Sequence, residues 1–458
     1  MKKMRIGILI FIITALATLP IFAQEESEEG SDSSDETANM ADFGLGLGIG
    51  VQNFDDGTYQ VLSFTPDLAF GKIGVGVDFT IHYRFTGGEG NEFEIREQDW
   101  IPEGDTNFLE LYLPKIRYLR YAQKGDPLYV KLGSIEDATL GNGFIMSNYA
   151  NTHYLPEQRI FGMSFDVDGR LFNFPLVGVE SFVGNLTAFD VVGGRLYVRP
   201  LSMMDIPILN ALQVGGTMVV DTNPFYFTPE SSVSGLDGTE TALVAGGDFR
   251  LPLIANPVVS LATFGDLVAE GKALGGMLGF GGELFSFLNY GAQLRFLGDD
   301  FIPSYFDATY DLYRTEKLTI ITNDSSDPIL DGHVGWFASL GTSLIEDLIM
   351  LNVSIDGPFG EISNTPTLAS YPHLRGTFTI QEGIMPGFSF DAFYDKRKIQ
   401  SMEDLISPED ATIGMKINYK TGPAVISLVY DLKYNPAPAE GEDNWKVTSG
   451  LESSISLY

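Results

Sequence analysis

Four histidines, His82, His153, His333 and His373, are the side chains best suited to move protons near neutral pH, and the chain holds no cysteine. None of the four has a cysteine or another histidine at metal-ligand spacing, so neither a metal nor a cofactor is expected. His153 with Glu157 is the pair on which a hydrolase would build, given a serine or aspartate brought near by the fold. Asp166-Val167-Asp168-Gly169 lacks the remaining ligands of a calcium loop and reads as a turn. The glycine-rich runs have no strand-loop-helix setting, which excludes a phosphate cradle. A different chemistry is concentrated further on, where Gly141-Asn142-Gly143 is followed by Asn148, Tyr149, Asn151, His153 and Tyr154. Glycine permits the sharp reversals of an inward-folding loop, and amide and phenol groups can hydrogen-bond a solute.

What must position these groups is visible in residues 73–85. Ile73, Val75, Val77, Phe79, Ile81, Tyr83 and Phe85 alternate without exception with Gly74, Gly76, Asp78, Thr80, His82 and Arg84. Successive side chains of a strand point to opposite sides, so this segment has one apolar and one polar wall. Its length exceeds the usual five or six residues and suits a membrane-crossing strand, which needs roughly 9–11. The pattern recurs at 42–52, 288–297, 413–420 and 424–434, and in weaker form elsewhere, including 304–313 and 317–323. Twenty-two segments can be marked, and the expectation is an even strand number from 18 to 22.

The same alternation assigns charges to the polar wall. Acids are Asp78, Asp248, Glu283, Asp307, Asp311, Asp356, Asp391, Asp395, Asp431 and Glu452. Bases are Arg84, Lys131, Arg195, Arg199, Arg250, Arg295, Arg375, Lys416, Lys420 and Lys433, so the wall is nearly neutral. The chain as a whole carries 28 Lys+Arg against 61 Asp+Glu, a balance that argues against nucleic acid as a partner. The excess acid must lie elsewhere, in residues 24–39 and in a loop with Glu89, Glu92, Glu94, Glu97, Asp99, Glu103 and Asp105.

Lys2, Lys3 and Arg5 precede an apolar run from Ile6 to Phe22 and a small residue, Ala23, the layout of a cleaved signal peptide over residues 1–23. Residues 24–41 read as a disordered acidic arm and 42–458 as the folded part. No later window offers the roughly twenty uncharged apolar residues of a spanning helix. A membrane protein without such helices must be a closed barrel, because only closure pairs every backbone group away from water. Connector lengths agree: short turns at Gly71-Lys72, 123–127, 382–386 and Thr421-Gly422 alternate with connections on the long-loop side at 53–57, 86–107, 136–158 (the third), 324–332, 357–372, 396–410 and 435–445. That alternation requires 317–323 to be a strand. Gly169-Arg170-Leu171-Phe172-Asn173-Phe174 echoes Gly282-Glu283-Leu284-Phe285-Ser286-Phe287, and both fall at expected short turns.

On this pattern, over residues 42–458, the chain resembles the porin-like class of bacterial outer-membrane β-barrels: all-β, transmembrane, antiparallel and up-and-down. Barrels of that class commonly end on an aromatic residue, and this chain ends on Tyr458, although Leu451, Ile455 and Leu457 share the opposite face. The resemblance implies an outer-membrane location, lipid as surroundings, insertion by the barrel-assembly machinery, and diffusion of small polar solutes rather than catalysis. It also makes the third long loop, with Asn142, Asn148, Tyr149, Asn151 and His153, the candidate constriction. Asp78, His82, Arg84, Arg195, Arg199, Asp248, Arg250, Arg295, Asp307, Asp311, Asp391, Lys416 and Lys420 would line the lumen, and acidic mouths would favour cations mildly. A surface adhesin or a structural barrel with a filled lumen is the alternative, with a barrel hydrolase behind it. A plugged transporter is disfavoured because only the short acidic arm precedes the first strand, and a fatty-acid channel because that arm is not apolar.

The two walls predict unequal tolerance to charge. Phe79→Arg should cost roughly 2–4 kcal/mol near the bilayer midplane and Thr80→Arg much less, as read from folding titrations in lipid.

Overall fold

Alternating side chains become, in three dimensions, a wall with two faces. The computed structural model describes residues 42–458 except 55, 87–91, 103–107, 155–157, 205, 207, 228–239, 346–347, 361–371, 400, 408, 422–423, 435–443 and 458. The expected signal peptide and acidic arm, Glu89, Glu103, Asp105, Glu157 and Tyr458 therefore lie outside the described residues.

Strand β1 (Asp42–Phe54) pairs with β2 (Gly57–Phe64) and β3 (Asp67–Phe70), which are two halves of one span broken at Thr65-Pro66. Proline has no N–H for the ladder, and the carbonyl of Pro66 instead accepts from Val77 N at 3.0 Å. The next span is likewise divided, into β4 (Ile73–Val77) and β5 (Phe79–Thr86), paired to β3 and β2 respectively. β6 (Glu92–Ile95) and β7 (Ile116–Tyr121) share the following position, separated by an excursion that holds the short helix α1 (Phe108–Tyr112).

β7 pairs with β8 (Leu128–Gly133), and β8 with β11 (Gly162–Asp168). Between them β9 (Ala138–Leu140) and β10 (Met146–Tyr149) form a separate hairpin. Neighbours in sequence then pair antiparallel through β12 (Val177–Val183), β13 (Val191–Val198), β14 (Gln213–Asp221) and β15 (Ala242–Ala255). The order continues through β16 (Ser260–Glu270), β17 (Ala273–Leu284), β18 (Leu288–Leu297) and β19 (His333–Leu344). It ends with β20 (Ile349–Pro358), β21 (His373–Met385), β22 (Phe388–Lys396), β23 (Ala411–Thr421), β24 (Ala424–Tyr434) and β25 (Trp445–Leu457). β25 pairs in turn with β1, from Leu45↔Leu457 to Gln52↔Gly450, so the ladder returns to its start.

Twenty-three strands share this sheet. With β2/β3, β4/β5 and β6/β7 each counted as one span, twenty spans make up the barrel among the described residues. The number is even and inside the expected range, but two of the twenty-two marked segments are not strands. Residues 304–309 are irregular, and 310–321 form a helix, α2 (Tyr310–Ile321). No helix among the described residues is long and apolar enough to cross a membrane.

The outward face is apolar and open: Ile49 is 64% exposed, and Leu267, Leu274, Leu278, Phe280 and Phe296 are all exposed. Lipid is the solvent that suits such a belt. Phe172, Phe174, Phe285 and Phe287 are exposed at the two look-alike turns, where Asn173, Phe285 and Ser286 adopt positive φ. Aromatic rings at a strand end fit the level at which lipid meets water.

The closing seam can be tested with cysteines, since the chain has none of its own. Ile49 and Ser453 stand opposite each other across β1 and β25, and opposed residues of an antiparallel pair sit about 4.5–5.5 Å apart, within disulfide range. Ile49→Cys with Ser453→Cys should therefore oxidise to an intramolecular disulfide in the folded protein. Failure to cross-link would mean that the seam is open.

Candidate functional site

The inward face is not simply a water-lined wall. Two segments from the long-loop end fold inside and pack on it. The first is the β9–β10 hairpin, in which Leu140, Phe144, Ile145, Met146 and Tyr149 are buried. They join Val191, Val219, Val244, Phe264, Val268 and Met277 of the strands in one apolar cluster. These strand residues alternate with the lipid-facing ones, so parts of β13–β17 are apolar on both faces. The expectation of a uniformly polar inner wall is corrected for this sector: packing inside the barrel, not lipid, selects the second apolar set.

The tip of the hairpin is Gly141-Asn142-Gly143, with φ +58 at Gly141 and +86 at Gly143, a left-handed path that glycine takes without strain. A Cβ on Gly141 would also lie 3.0 Å from Arg195 Nε. Gly141 N donates to Glu180 Oε2 at 3.0 Å, and Asn142 Nδ2 donates to Phe249 O at 3.1 Å and Asp266 Oδ2 at 3.0 Å. The loop tip is thus tied to β12, β15 and β16. Arg195 beneath it donates to both oxygens of Asp248, at 2.9 and 2.5 Å, and to Glu180 at 3.1 Å.

The second inward segment, residues 299–330, runs alongside the first. Ser304 N donates to Phe144 O at 2.8 Å, Phe306 N to Ile145 O at 3.1 Å, and Ser147 N to Phe306 O at 3.0 Å. Phe144 stacks on Phe301 with ring centroids 5.5 Å apart. Helix α2 then brings buried charges to the wall. Arg314 meets Asp311 at 2.7 Å, Asp190 at 2.7 Å and Asp221 at 3.3 Å, while Tyr149 and Tyr310 donate to Asp311 and Asp221. Lys317 reaches Asp307 at 2.7 Å and the Tyr305 carbonyl at 2.6 Å, and Arg397 completes the pair on Asp307 at 2.7 Å.

This geometry corrects the sequence reading of Asp307 and Asp311, which belong to the second inward segment instead of a strand. Tyr310, Arg314, Lys317, Leu318 and Ile321 recur at helical spacing and are all buried, a signal that could have identified the helix. Arg314, Lys317, Arg397, Asp190 and Asp221 were missed as interior charges. A strand-based reading assigned none of them to the polar wall.

Other named residues are held in local pairs. His82 lies between Asp99 at 2.7 Å and Gln52 at 3.2 Å, so Asp99 is a half-buried partner of His82 and Arg96 and does not serve as a free mouth charge. Asp78 binds Arg159 at 2.5 Å, Arg84 binds Glu94 at 2.9 Å, and Arg199 binds Asp168 at 2.6 Å. Arg250 lies over the Phe264 ring, Asp391 accepts from Thr379 and stands across from Lys416, and Lys420 pairs with Glu382. Of the loop candidates, Asn151 is buried and binds the backbone of Ile135 and Gly184, while Asn148 stays exposed. His153 is held through Nε2 on the Ala308 carbonyl; its suggested partner Glu157 lies outside the described residues.

Between the inward segments and β18–β22 an unfilled pocket remains. It is lined by Asn148, Ser304, Arg295, Asp356, Arg375 and Asp395 among others, with about 670 Å³ of empty space, part of it open to solvent. Arg295 pairs there with Asp356 at 2.7 Å, and His373 with Asp395 at 3.0 Å. Among the described residues, no cluster of three or more His, Cys, Asp or Glu could hold a metal.

Burial pushes the Asp311 carboxyl up to about 6 despite Arg314, and pushes the His153 imidazole down to about 4, with Lys433 adding to the shift. Burial works against ionised Asp307, yet Arg397 and Lys317 hold its carboxyl well below the usual carboxylate range.

No protein-family model matches the chain, and comparison with curated proteins finds no match. Solved structures do resemble it at low identity. OpdK of Pseudomonas aeruginosa, solved with vanillate, is 10% identical over 91% of this chain and 98% of its own, with TM-score 0.32. A BenF-like porin from Pseudomonas fluorescens Pf-5 is 10% identical over the same shares, with TM-score 0.34. CdiB from Acinetobacter baumannii is 6% identical with TM-score 0.26; this chain covers 60% of its length.

Arg314→Met should destabilise the protein by about 3–5 kcal/mol in urea titrations, because three buried aspartates lose their common partner. The pH dependence has two opposed parts. Asp311 has a raised pKa in the folded state, so its contribution grows as pH falls from about 6 toward the unfolded carboxylate value. His153 has a lowered one, so its contribution shrinks as pH falls below the unfolded imidazole value toward about 4. Between pH 6 and 4, Asp311→Asn should accordingly fall behind the parent protein and His153→Gln should gain on it, as measured by urea midpoints.

Proposed function

We propose that this protein is an outer-membrane channel for small polar solutes, exported through its signal peptide, inserted by the barrel-assembly machinery, and acting by selective passage instead of catalysis. The observation that carries the reading is the unfilled, charge-lined pocket beside the two inward segments, inside a barrel whose outer belt is apolar. A wall that served only as a scaffold would have no need to hold Arg295, Arg375, Asp356 and Asp395 around empty space. The β9–β10 hairpin, with Asn142 and Asn148, would narrow the route jointly with residues 299–330.

A mild preference for cations follows from charge. The chain carries a formal net charge of −33, and Glu92, Glu94 and Glu97 stand at the long-loop end. Such mouths enrich counter-ions through local potential. A second reading, a structural barrel with a filled lumen, is favoured by the apolar cluster between the inward segments and the wall.

Planar-bilayer conductance separates the two. The channel reading expects discrete current steps, and a barrel that inserts but passes no current would leave the structural reading. Replacing Glu92, Glu94 and Glu97 together by glutamine should shift the reversal potential toward anions in dilute salt. The shift should fade at 1 M salt, where the Debye length falls to about 3 Å.

A further inference from the structure

The interior pocket carries its charges in an unusual balance. Its lining includes three guanidinium groups, Arg295, Arg375 and Arg397, and three carboxylates, Asp307, Asp356 and Asp395. Asp307 is fully engaged, bound by Lys317 and Arg397 at 2.7 Å each. The other two carboxylates are engaged on one oxygen only. Asp356 accepts from Arg295 through Oδ2, and Asp395 accepts from His373 through Oδ1. Asp356 Oδ1 and Asp395 Oδ2 are buried with no hydrogen-bond partner among the described residues. Asp356 is 8% exposed and Asp395 2%, so each leaves a desolvated acceptor without a donor. Such an atom carries a desolvation penalty that a donor on a bound solute would relieve.

Arg375 is the complementary vacancy. Its guanidinium lies over the Phe393 ring, and among the described residues it makes no ion pair. In the sheet it stands opposite Asp395 on β22 and opposite Ser354 on β20, two residues from Asp356. Directly opposed side chains of a sheet are about 5 Å apart and diagonal ones about 7–8 Å. One available cation is therefore flanked, at the scale of a small molecule, by two carboxylates with an oxygen each to spare.

Net charge decides between ligand classes. With three cations against three carboxylates the mean potential nearly cancels, so a simple anion meets Asp356 and Asp395 while a simple cation meets Arg375. A molecule bearing both signs gains at each end. We propose that the pocket binds small zwitterions, an ammonium set against Asp356 and Asp395 and a carboxylate against Arg375, α-amino acids being the simplest class. Ser304 and Asn148 offer polar groups to the body of such a solute. This deepens the channel reading and rests on it for the route by which the solute arrives.

The test uses the purified full-length protein in liposomes and measures influx of isotopically labelled L-serine, glycerate, L-serinamide and glycerol. These differ in charge class while keeping a similar size. Serine influx should saturate and should exceed that of glycerate and serinamide by about tenfold at low concentration, the factor given by one charge-assisted hydrogen bond. Arg375→Gln should bring serine down to the level of serinamide, and Asp356→Asn down to that of glycerate, each variant losing more serine influx than glycerol influx. Glycerate or serinamide entering faster than serine would overturn the proposal in favour of a plain anion or cation site. Equal loss of serine and glycerol in the variants would also overturn it, because the residues would then only support the barrel. If glycerol does not enter at all, the channel reading fails. Equilibrium dialysis of labelled serine against the detergent-solubilised protein then decides the pocket alone: binding lost in Arg375→Gln upholds it, and no binding ends it.

Discussion

Lipid offers the backbone no hydrogen-bond partner, and that constraint governs the rest of this structure. Every span must find its N–H and C=O partners in its neighbours, and the last must find them in the first. The pairing of β25 with β1 over eight residues meets that demand. Where a span cannot be regular, other groups take over. At Thr65-Pro66 the ladder is interrupted, and Thr65 N and Pro66 O find Gly46 O and Val77 N instead.

Closing a sheet of twenty spans creates a second problem. The interior is far wider than the side chains of the wall can fill, and an empty apolar interior would be unfavourable. Here the chain fills one sector with its own loops. Val219, Val244, Val268 and Met277 receive the hairpin and residues 299–321 as a small domain core would. Charges that accompany the loops are neutralised in place: Arg314 by three aspartates, Lys317 and Arg397 through Asp307. Buried ions of this kind fix position more than they add stability, because desolvation offsets much of the attraction. The remaining sector, along β18–β22, keeps its polar lining and its pocket.

The wall was legible in the sequence because period-two alternation is enforced wherever lipid faces one side and something different faces the other. Residues 73–85 and 288–297 show it plainly, and there Ile73, Phe79, Leu294 and Phe296 are exposed while His82 and Arg295 are buried. Residues 304–323 misled for the opposite reason. Surrounded by protein on nearly all sides, Tyr305, Phe306, Tyr310, Leu318 and Ile320 face no solvent boundary, and buried residues off the helical stripe, such as Tyr313 and Ile320, blur its period. Asp307 and Asp311 thus looked like wall charges when they are braces between loop and wall. In the third long loop Gly141 and Gly143 pointed to a reversal, and the loop does turn there. That Leu140, Phe144 and Met146 would sit beneath it depended on Val219 and Phe264, far away in the chain. Local pattern does not carry such pairings.

The distances along the chain between those partners have a kinetic meaning. Tyr149 meets Asp311, 162 residues later; Asn142 meets Asp266, 124 residues later; and the carbonyl of His153 accepts from Lys433, 280 residues later. Loop closures of that span are entropically expensive before the wall exists to hold their ends. The hairpin can dock only on strands that follow it, and its last tether lies on β24, near the end of the chain. During assembly Phe144, Met146 and Tyr149 must consequently wait, unburied, until most of the ring has formed, which makes the interior the final part of the molecule to become ordered.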